Sequence, residues 1–333
     1  MAGTVIITGA NGSLGLGFVH ALLTSHPDYT LIATVRNPSS EQDPHTAQLR
    51  KLLSSHPKSQ THLETLDLGR LADVRAFTTR AAHQITTNQL PPISAIVCNA
   101  FTWSLHGQKT TADNYEATFQ VSHLSHMVLV LRLLGSMDTA GNGRIVLLGS
   151  EAHDPRSKAR AAFPDDGDME HLVHPPPDGV GEAYDRGFQR YGTAKLANVA
   201  FMHDLNARLL RDTRLSPITV TAMDPGGLVA SRAHSEQNSS MRWAFGVINV
   251  LMPLVRHLTT AVRTTADAGQ DLVALSVGLE FKGKRGYFIA QRQAASAEIS
   301  RHPEIQKELW DACWKWAGLV GEETVLGNDI VGR

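Results

Sequence analysis

Short runs of β-branched and apolar residues alternate along the chain with segments in which apolar residues recur at helical spacing. This alternation predicts a parallel sheet covered by helices on both faces. The predicted strands are Thr4–Thr8, Leu31–Val35, His62–Asp67, Ala95–Cys98, Arg144–Leu148, Thr219–Met223 and Gly286–Ile289. The predicted helices are Leu14–Ser25, Ala72–Thr86, Asp113–Leu134, Gly192–Leu210 and Thr260–Val277. Seven strands in this order predict one doubly wound α/β domain over residues 1–333.

Two segments interrupt the alternation. Residues 151–187 are rich in Pro, Asp and Gly, which predicts a long loop at the carboxyl edge of the sheet. Residues 227–258 begin polar and become apolar, with Trp243 among the large side chains. Their place after the sixth strand suggests a substrate lid, although a helix that simply packs on the core is the alternative.

Charge and composition narrow the classes of partner. Lys and Arg number 31 against 32 Asp and Glu, for a net charge of -1, which disfavours nucleic-acid binding. Two cysteines cannot form a disulfide framework. The longest apolar stretch, Trp243–Val255, is too short to span a bilayer, and the N-terminus lacks a signal-peptide pattern. We therefore expect a cytoplasmic protein with a small-molecule substrate, and a membrane-surface contact through that stretch is left open.

A glycine-rich turn follows the first predicted strand. It reads Thr8-Gly9-Ala10-Asn11-Gly12-Ser13-Leu14-Gly15 and leads directly into a predicted helix. Glycines let such a turn bring backbone N–H groups close to a pyrophosphate, and the helix N-terminus favours the negative charge. The turn predicts a dinucleotide site.

The end of the second strand indicates which dinucleotide binds. An acidic residue there accepts hydrogen bonds from a ribose 2′-hydroxyl, but this chain has Arg36 and Asn37 instead. An arginine pairs well with a 2′-phosphate, so NADP(H) is predicted. Asp67, at the end of the third strand, and the adjacent Leu68 are expected near the adenine.

Three residues suggest the chemistry. Tyr191 and Lys195 are four positions apart at the start of a predicted helix, so both lie on one helix face. An ammonium group near a phenol favours the phenolate, which predicts a lowered pKa for Tyr191 and a role as general acid or base. Ser150 ends the fifth strand, where its hydroxyl could hold the substrate oxygen; the alternative is a simple helix-capping serine.

Together these motifs resemble the short-chain dehydrogenase/reductase family along nearly the whole chain. Details such as Val121–His126, Ser150–His153 and Tyr191–Asn198 are similar to the branch of retinol dehydrogenases, protochlorophyllide reductases and fungal reductases. The resemblance implies a Rossmann fold and catalytic roles for Ser150, Tyr191 and Lys195. It also implies cofactor contacts that continue beyond the glycine turn: Asn99, Ala100, Pro225, Gly226 and Leu228.

The chain departs from the family pattern at three places. Ser122 stands where the family has an asparagine that supports a proton-relay water, and Phe101 stands where the fourth-strand motif has glycine. The interval between Ser150 and Tyr191, 41 positions, is long. The inserted chain is expected to form part of a substrate rim, and the aromatic residues expected to line it are Phe101, Trp103, Tyr184, Phe188 and Trp243.

The sequence therefore predicts an NADPH-dependent ketone reductase or alcohol dehydrogenase for a bulky apolar substrate, in specialised metabolism. Two alternatives stay open: non-redox chemistry on the same site, as in an isomerase, dehydratase or cyclase, and a non-catalytic cofactor sensor. No metal is predicted, since no histidine pair has a recognised ligand spacing with a third partner. Relatives often pair through helices equivalent to 113–134 and 192–210, so a homodimer is expected.

Overall fold

Parallel strands dominate the computed structural model, which describes residues 2–39, 43–228 and 262–326. Eight strands form the main sheet in the order β10-β9-β6-β5-β4-β1-β2-β3, and β10 alone is antiparallel to its neighbour. The strands are β1 (Gly3–Ile7), β2 (Tyr29–Val35), β3 (Thr61–Thr65), β4 (Ile93–Cys98), β5 (Arg144–Leu148), β6 (Thr219–Asp224), β7 (Gly227–Leu228), β8 (Val262–Arg263), β9 (Gly286–Ile289) and β10 (Arg292–Ala294). The predicted doubly wound α/β class is confirmed. The sheet has one strand more than predicted, because the short β10 pairs with β9.

Helices cover both faces of this sheet. They are α1 (Ser13–Ser25), α2 (Pro44–Ser54), α3 (Leu71–Thr86), α4 (Ala117–Phe119), α5 (Ser125–Leu133), α6 (Ala183–Arg211), α7 (Thr265–Val277) and α8 (Pro303–Ala317). A π-helical turn, Gln120–Leu124, joins α4 to α5. Apolar side chains of α3, α5, α6 and α8 fill one face, and those of α1 and α7 fill the other.

The central strands are buried along their whole length, which explains their nearly continuous apolar sequence. The strand order reverses between β1 and β4, so the chain leaves these two strands in opposite directions. A crevice at the carboxyl ends of such strands is the usual ligand site of open α/β sheets. The glycine-rich turn after β1 lies at this point.

Three predicted helices have different bounds in the structure. The helix predicted over 192–210 begins earlier, at Ala183, so Tyr191 lies well inside it. The helix predicted over 113–134 is divided by the π-helical turn. The helix predicted over 260–277 corresponds to α7, which begins at Thr265. Its N-cap is Thr264, whose Oγ1 accepts a hydrogen bond from the Asp267 N–H at 3.0 Å.

All but one residue of α5 and the middle of α6 are buried within the chain itself. Every residue from Gly192 to Met202 is buried, and α5 is buried except at Arg132. Helix α8 covers α6, and its Trp310 contacts both Phe201 and the Arg208 guanidinium. The carboxyl-terminal part of α6 is less covered, and Leu210 there is 57% exposed.

Candidate active site

Steric limits explain the glycines of the turn after β1. Gly9 has φ +63°, and a Cβ there would lie 3.0 Å from the Ala100 Cα. A Cβ on Gly15 would lie 2.5 Å from the Gly9 carbonyl oxygen. Gly12 begins α1 without any side-chain cap, and the first turn of α1 carries no acidic residue. The turn thus keeps its backbone close to a helix N-terminus and fits a dinucleotide pyrophosphate.

A buried network behind this turn was missed at the sequence level. Thr8 Oγ1 accepts hydrogen bonds from the backbone N–H groups of Asn99 (3.0 Å) and Ala100 (2.9 Å). His126 Nδ1 lies 3.1 Å from the Ser122 carbonyl and therefore carries the proton. Burial lowers the pKa of His126 to about 3, so the ring is neutral and its Nε2 accepts from the Thr8 hydroxyl at 2.9 Å. The π-helical turn is thereby connected to the glycine turn.

Asn99 supports the turn with its side chain. Its Nδ2 donates to the carbonyl oxygens of Thr8 (2.8 Å) and Gly9 (3.1 Å), and the residue is 7% exposed. The amide therefore binds the backbone of the turn, and Ala100 packs directly against Gly9.

At the place predicted for the adenine end of the cofactor, one exposed basic residue, Arg36, follows β2. Arg36 and Asn37 are exposed, and the next residue, Pro38, accepts hydrogen bonds from the Arg50 guanidinium of α2 at 2.8 and 3.2 Å. Helix α2 was not predicted, and it holds this loop in place. Asn11 in the glycine turn donates to an Asp43 carboxylate oxygen at 2.9 Å, which joins the turn to the start of α2.

The loop after β3 lies beside the same crevice. Asp67 is partly buried, and its Oδ1 accepts from the Gly69 N–H at 2.9 Å. Leu68 is buried, and its carbonyl accepts from the Ser125 hydroxyl at 2.6 Å. Of the remaining predicted turn residues, Ser13 and Leu14 form the first turn of α1.

Two glycines on α6 bring neighbouring segments close to Tyr191. A Cβ on Gly187 would lie 2.1 Å from the Ser104 carbonyl oxygen, and one on Gly192 would lie 2.7 Å from the Ala152 carbonyl oxygen. The segments that follow β4 and β5 therefore touch the helix backbone on either side of Tyr191. This close approach forms the walls of the site.

Ser150 caps a short turn and also contacts Tyr191, whereas its role toward a substrate oxygen stays a prediction. It caps a 3₁₀ turn, Glu151–His153, by accepting from the Ala152 N–H at 3.2 Å. Its side chain also forms a hydrogen bond with Tyr191. His153 donates from Nδ1 to the Ser150 carbonyl at 2.7 Å, which fixes the backbone of this residue. Ser150 and Tyr191 thus meet as the sequence predicts.

Lys195 is buried beneath Tyr191. It is 2% exposed, its Nζ donates to the Leu148 carbonyl at 2.9 Å, and the same atom lies 5.6 Å from the centroid of the Tyr191 ring. Asn198, one turn further along α6, donates from Nδ2 to the carbonyl oxygens of Leu148 (3.3 Å) and Ser122 (3.1 Å). The carbonyl of Ser122 is thus tied to the catalytic helix.

The hydroxyl of Ser122 has a different environment from its carbonyl. Its Oγ is buried and has no hydrogen-bond partner among the described residues. The neighbouring His123 donates from Nδ1 to Asn198 Oδ1 at 2.9 Å, and burial lowers the pKa of His123 to about 4. The side-chain amide of Asn198 therefore joins the π-helical turn, at Ser122 and His123, to the end of β5, at Leu148.

The pKa of Tyr191 moves opposite to the sequence prediction. Burial raises it to about 12, the Ser150 hydrogen bond lowers it, and the negative charge of Asp224 raises it further. Burial also lowers the pKa of Lys195 to about 8, while Asp224 and then Cys98 raise it. Loss of hydration outweighs the other influences because both side chains lie deep in the site.

Three aromatic side chains surround the Tyr191 ring. Its centroid lies 5.0 Å from Trp103, 5.7 Å from Phe101 and 6.2 Å from the stacked ring of Phe188. Tyr184, earlier on α6, is partly buried. Of the predicted rim residues, Phe101 and Trp103 lie in the segment after β4, and Tyr184 and Phe188 lie on α6. Trp243 lies outside the described residues.

The turn after β6 brings a carboxylate to the site. Pro225 and Gly226 follow Asp224, whose Oδ1 accepts from the Gly226 N–H at 2.8 Å. Leu228 is in β7, which pairs with β8. The lid predicted over residues 227–258 begins with Gly227 and Leu228, which form β7. Its positions 229–258 lie outside the described residues. Sequence reasoning assigned no role to Asp224, although its place directly before Pro-Gly was visible.

The inserted residues 151–187 also cover the side of α6 that faces away from Tyr191. Asp178 forms a two-pronged ion pair with Arg190 at 2.5 and 3.0 Å, and Glu170 accepts from the Trp316 indole at 2.8 Å. A cavity of about 410 Å³ lies here, lined by Arg186, Gln189 and other residues. It is separated from the Tyr191 side by the helix itself.

The described residues contain neither a metal-binding cluster nor a membrane-spanning helix. Within residues 2–39, 43–228 and 262–326, no group of three His, Cys, Asp or Glu side chains is arranged to hold a metal ion. Across the same part of the chain, no helix has the length and apolar character that a bilayer crossing requires.

Known proteins resemble this chain in sequence and in fold. A family model described as short chain dehydrogenase matches residues 3–163, and one described as AcuH dehydrogenase domain matches residues 235–326. The short-chain dehydrogenase iccH of Talaromyces variabilis is 29% identical over 97% of this chain and 98% of that protein. A WW domain-containing oxidoreductase of Drosophila melanogaster is 28% identical over 92% of this chain and 66% of that protein. Among solved structures, the angucycline C-6 ketoreductase LanV with bound NADP has the same fold, with a TM-score of 0.58, 17% identity, and coverage of 86% of this chain and 93% of that one.

Proposed function

Since the chain belongs to the short-chain dehydrogenase/reductase family, we propose that it is an NADPH-dependent reductase of bulky apolar ketones. The observation that carries this proposal is the meeting of Ser150, Tyr191 and Lys195 beside the glycine turn. Ser150 and Tyr191 share a hydrogen bond, and Lys195 lies under the Tyr191 ring. A phenol, a hydroxyl and an ammonium around one point suit the protonation of a carbonyl oxygen.

The residues divide the work as follows. The turn of Gly9, Gly12 and Gly15 would hold the pyrophosphate of bound NADPH, and that cofactor would supply the hydride. Ser150 orients the carbonyl oxygen by hydrogen bonding. With a pKa of about 12, Tyr191 is protonated at neutral pH and gives its proton to that oxygen, so that its O–H bond breaks as the carbonyl becomes an alcohol. Lys195 stabilises the phenolate that results.

The preference for NADP(H) rests on Arg36. Its guanidinium is exposed directly after β2, and no acidic residue takes the place that would favour a free 2′-hydroxyl. We expect Arg36→Leu to weaken NADPH binding about tenfold and NADH binding little, by fluorescence titration. Arg80→Leu, on the exposed side of α3, is the control and should change neither. Equal weakening of both cofactors by Arg36→Leu would contradict the assignment.

The aromatic residues around Tyr191 favour a large, flat substrate. Phe101, Trp103 and Phe188 present ring faces and edges within 6.2 Å of the Tyr191 ring centroid. Ketoreduction in specialised metabolism is proposed on the basis of this rim, and one solved structure of the same fold is an angucycline C-6 ketoreductase with bound NADP. A Trp103→Ala variant should lose more kcat/KM for a polycyclic ketone than for a small cyclic one.

NADPH consumption with a panel of polycyclic ketones tests the whole proposal. Tyr191→Phe should lower the rate by on the order of 10² or more with NADPH binding retained, whereas Tyr115→Phe, remote from the site, should keep it. An equally active Tyr191→Phe would refute the mechanism. A second candidate function is non-redox chemistry on the same site. It is favoured by the buried Ser122 hydroxyl, which has no hydrogen-bond partner among the described residues. A product of unchanged oxidation level would reveal it.

A further inference from the structure

The ammonium group of Lys195 is a buried charge with few polar partners. The residue is 2% exposed, and its Nζ donates to one acceptor, the Leu148 carbonyl, at 2.9 Å. Among the described residues, no carboxylate forms an ion pair with it. An ammonium group has three N–H donors, and a buried charge is costly unless other groups stabilise it. One carbonyl therefore leaves most of this charge without a polar partner.

Two aromatic rings lie beside this ammonium group. Its Nζ is 5.2 Å from the centroid of the Phe101 ring and 5.6 Å from the centroid of the Tyr191 ring. The face of an aromatic ring attracts a cation within about 6 Å, because its quadrupole is negative there, and the attraction is stronger when the cation is removed from water. Phe101 is the nearer of the two rings and lies close enough to stabilise the charge.

The surroundings of Phe101 hold its ring in this place. The preceding residue, Ala100, donates its N–H to Thr8 Oγ1 at 2.9 Å, which fixes the backbone just before the ring. The ring makes an edge-on contact with Trp103 at 6.5 Å between centroids, and it lies 5.7 Å from the Tyr191 ring. Phe101 is 38% exposed, so part of its surface faces solvent while its ring face is turned toward Nζ.

Titratable groups from three other elements also face Lys195. Burial lowers the pKa of Lys195, and the charge of Asp224, at the end of β6, opposes this without an ion pair. The thiol of Cys98, at the end of β4, keeps its proton because burial raises its pKa. Burial lowers the pKa of His126, on α5, to about 3, so that ring is neutral. None of these groups makes the close contact with Nζ that the Phe101 ring makes.

We propose that Phe101 is a positioning residue whose ring face holds the charged ammonium group of Lys195 beneath Tyr191 through a cation–π interaction. This inference rests on the proposed function and refines it, because the charge of Lys195 stabilises the phenolate that forms when Tyr191 gives up its proton. The family pattern has glycine at position 101, which has no ring. The interaction therefore depends on a residue at which this chain departs from that pattern.

The rival explanation is that Phe101 only packs in the substrate rim. Fluorinated phenylalanines at position 101 separate the two explanations, because each fluorine withdraws electron density from the ring face while the ring keeps nearly the same size. Site-specific incorporation of mono-, di-, tri- and pentafluorinated phenylalanine gives a graded series. A cation–π interaction predicts an effect that grows with the number of fluorine atoms, whereas packing alone predicts no such trend.

The experiment is a pH titration of Lys195 by NMR, with lysine labelled with ¹³C at Cε and with Lys195→Met to identify the signal. We expect the midpoint to fall with each added fluorine. In Phe101→Leu it should fall by about 0.5 pH unit, which corresponds to about threefold less ammonium above the midpoint. Phe101→Tyr keeps an electron-rich ring and should retain the wild-type midpoint. The same fluorinated residues at Phe281, which packs against Phe288 on the other face of the sheet, are the matched control and should leave the midpoint unchanged.

A midpoint that stays constant across the series at position 101, or that changes equally in the series at position 281, overturns the inference. If Phe101→Leu does not fold by near-ultraviolet circular dichroism, the fluorinated series, which retains the ring, decides alone. The titration needs no substrate, so its outcome is independent of whether a ketone is reduced. Where a ketone is reduced, the alkaline limb of kcat/KM should move to lower pH in the order of fluorine content, and a limb that stays in place contradicts the inference.

Discussion

Replacing Lys195 by methionine should stabilise the protein without cofactor while removing its activity. Burial holds the pKa of Lys195 at about 8, against 10.5 for an unperturbed lysine, and each pKa unit corresponds to about 1.4 kcal/mol. The charged ammonium therefore costs the folded state about 3 kcal/mol relative to a neutral side chain. Methionine matches the length of the buried chain and carries no charge.

Part of this gain is lost with the hydrogen bond from Nζ to the Leu148 carbonyl, at about 1 kcal/mol. That carbonyl is not left alone, because Asn198 Nδ2 also donates to it at 3.3 Å. We therefore expect Lys195→Met to raise the free energy of unfolding by about 2 kcal/mol at pH 7.

The gain depends on pH in a defined direction. Below pH 8 lysine is charged in both the folded and the unfolded state, and the full cost of burial is present. Between about 8 and 10.5 the unfolded chain binds the proton that the folded chain has released, so wild-type stability rises with pH. Above the upper value the cost is gone, and the advantage of Lys195→Met should vanish.

Urea unfolding followed by tryptophan fluorescence at several pH values measures this effect. Lys51→Met, on the exposed side of α2, is the matched control and should change stability little. A Lys195→Met protein that is less stable than wild type at pH 7, or whose advantage does not decline toward pH 10, would refute the reasoning.

The remaining predictions concern packing and assembly. Thr8→Val leaves two backbone N–H groups without their acceptor and should cost on the order of 2–4 kcal/mol in urea unfolding, whereas Thr34→Val removes one bond to a carbonyl and should cost less; equal losses would contradict the network. Gly17→Ala places a Cβ 2.2 Å from the Thr265 carbonyl oxygen and should cost about 1–3 kcal/mol by the same assay; an unchanged midpoint would mean that α1 and α7 separate easily. Because α5 and residues 192–202 of α6 are buried within the chain, light scattering after size exclusion should give the mass of one chain, and a dimer would mean that two copies pair through exposed residues, such as Leu210 on α6.

Local sequence determined the strands and the glycine turn. Runs of three or four apolar residues, such as Ile145–Leu148, have no periodicity that a helix with one exposed face could use, so the central strands were predictable to within one or two residues. The glycine turn was equally clear, because Gly9, Gly12 and Gly15 stand between a strand pattern and a helix pattern. Tyr191 and Lys195 could be paired from their helical spacing alone.

Other features depend on partners that are distant in sequence. Helix α6 extends back to Ala183, and within that extension Gly187 lies against the backbone of Ser104, a contact that no local pattern predicts. Strand β10 exists because β9 pairs with it, and its own residues, Arg292–Ala294, carry no strand pattern.

The electrostatics of the site were decided only by the tertiary structure. The sequence places Lys195 one helical turn from Tyr191 and so predicts a lowered phenol pKa, but burial of both side chains reverses that direction. Asp224 and Tyr287 are 63 positions apart in the chain and meet because β6 and β9 are neighbours in the sheet. Spacing along a helix fixes which side chains share a face, whereas the hydration and charge that each one experiences depend on every element that closes around it.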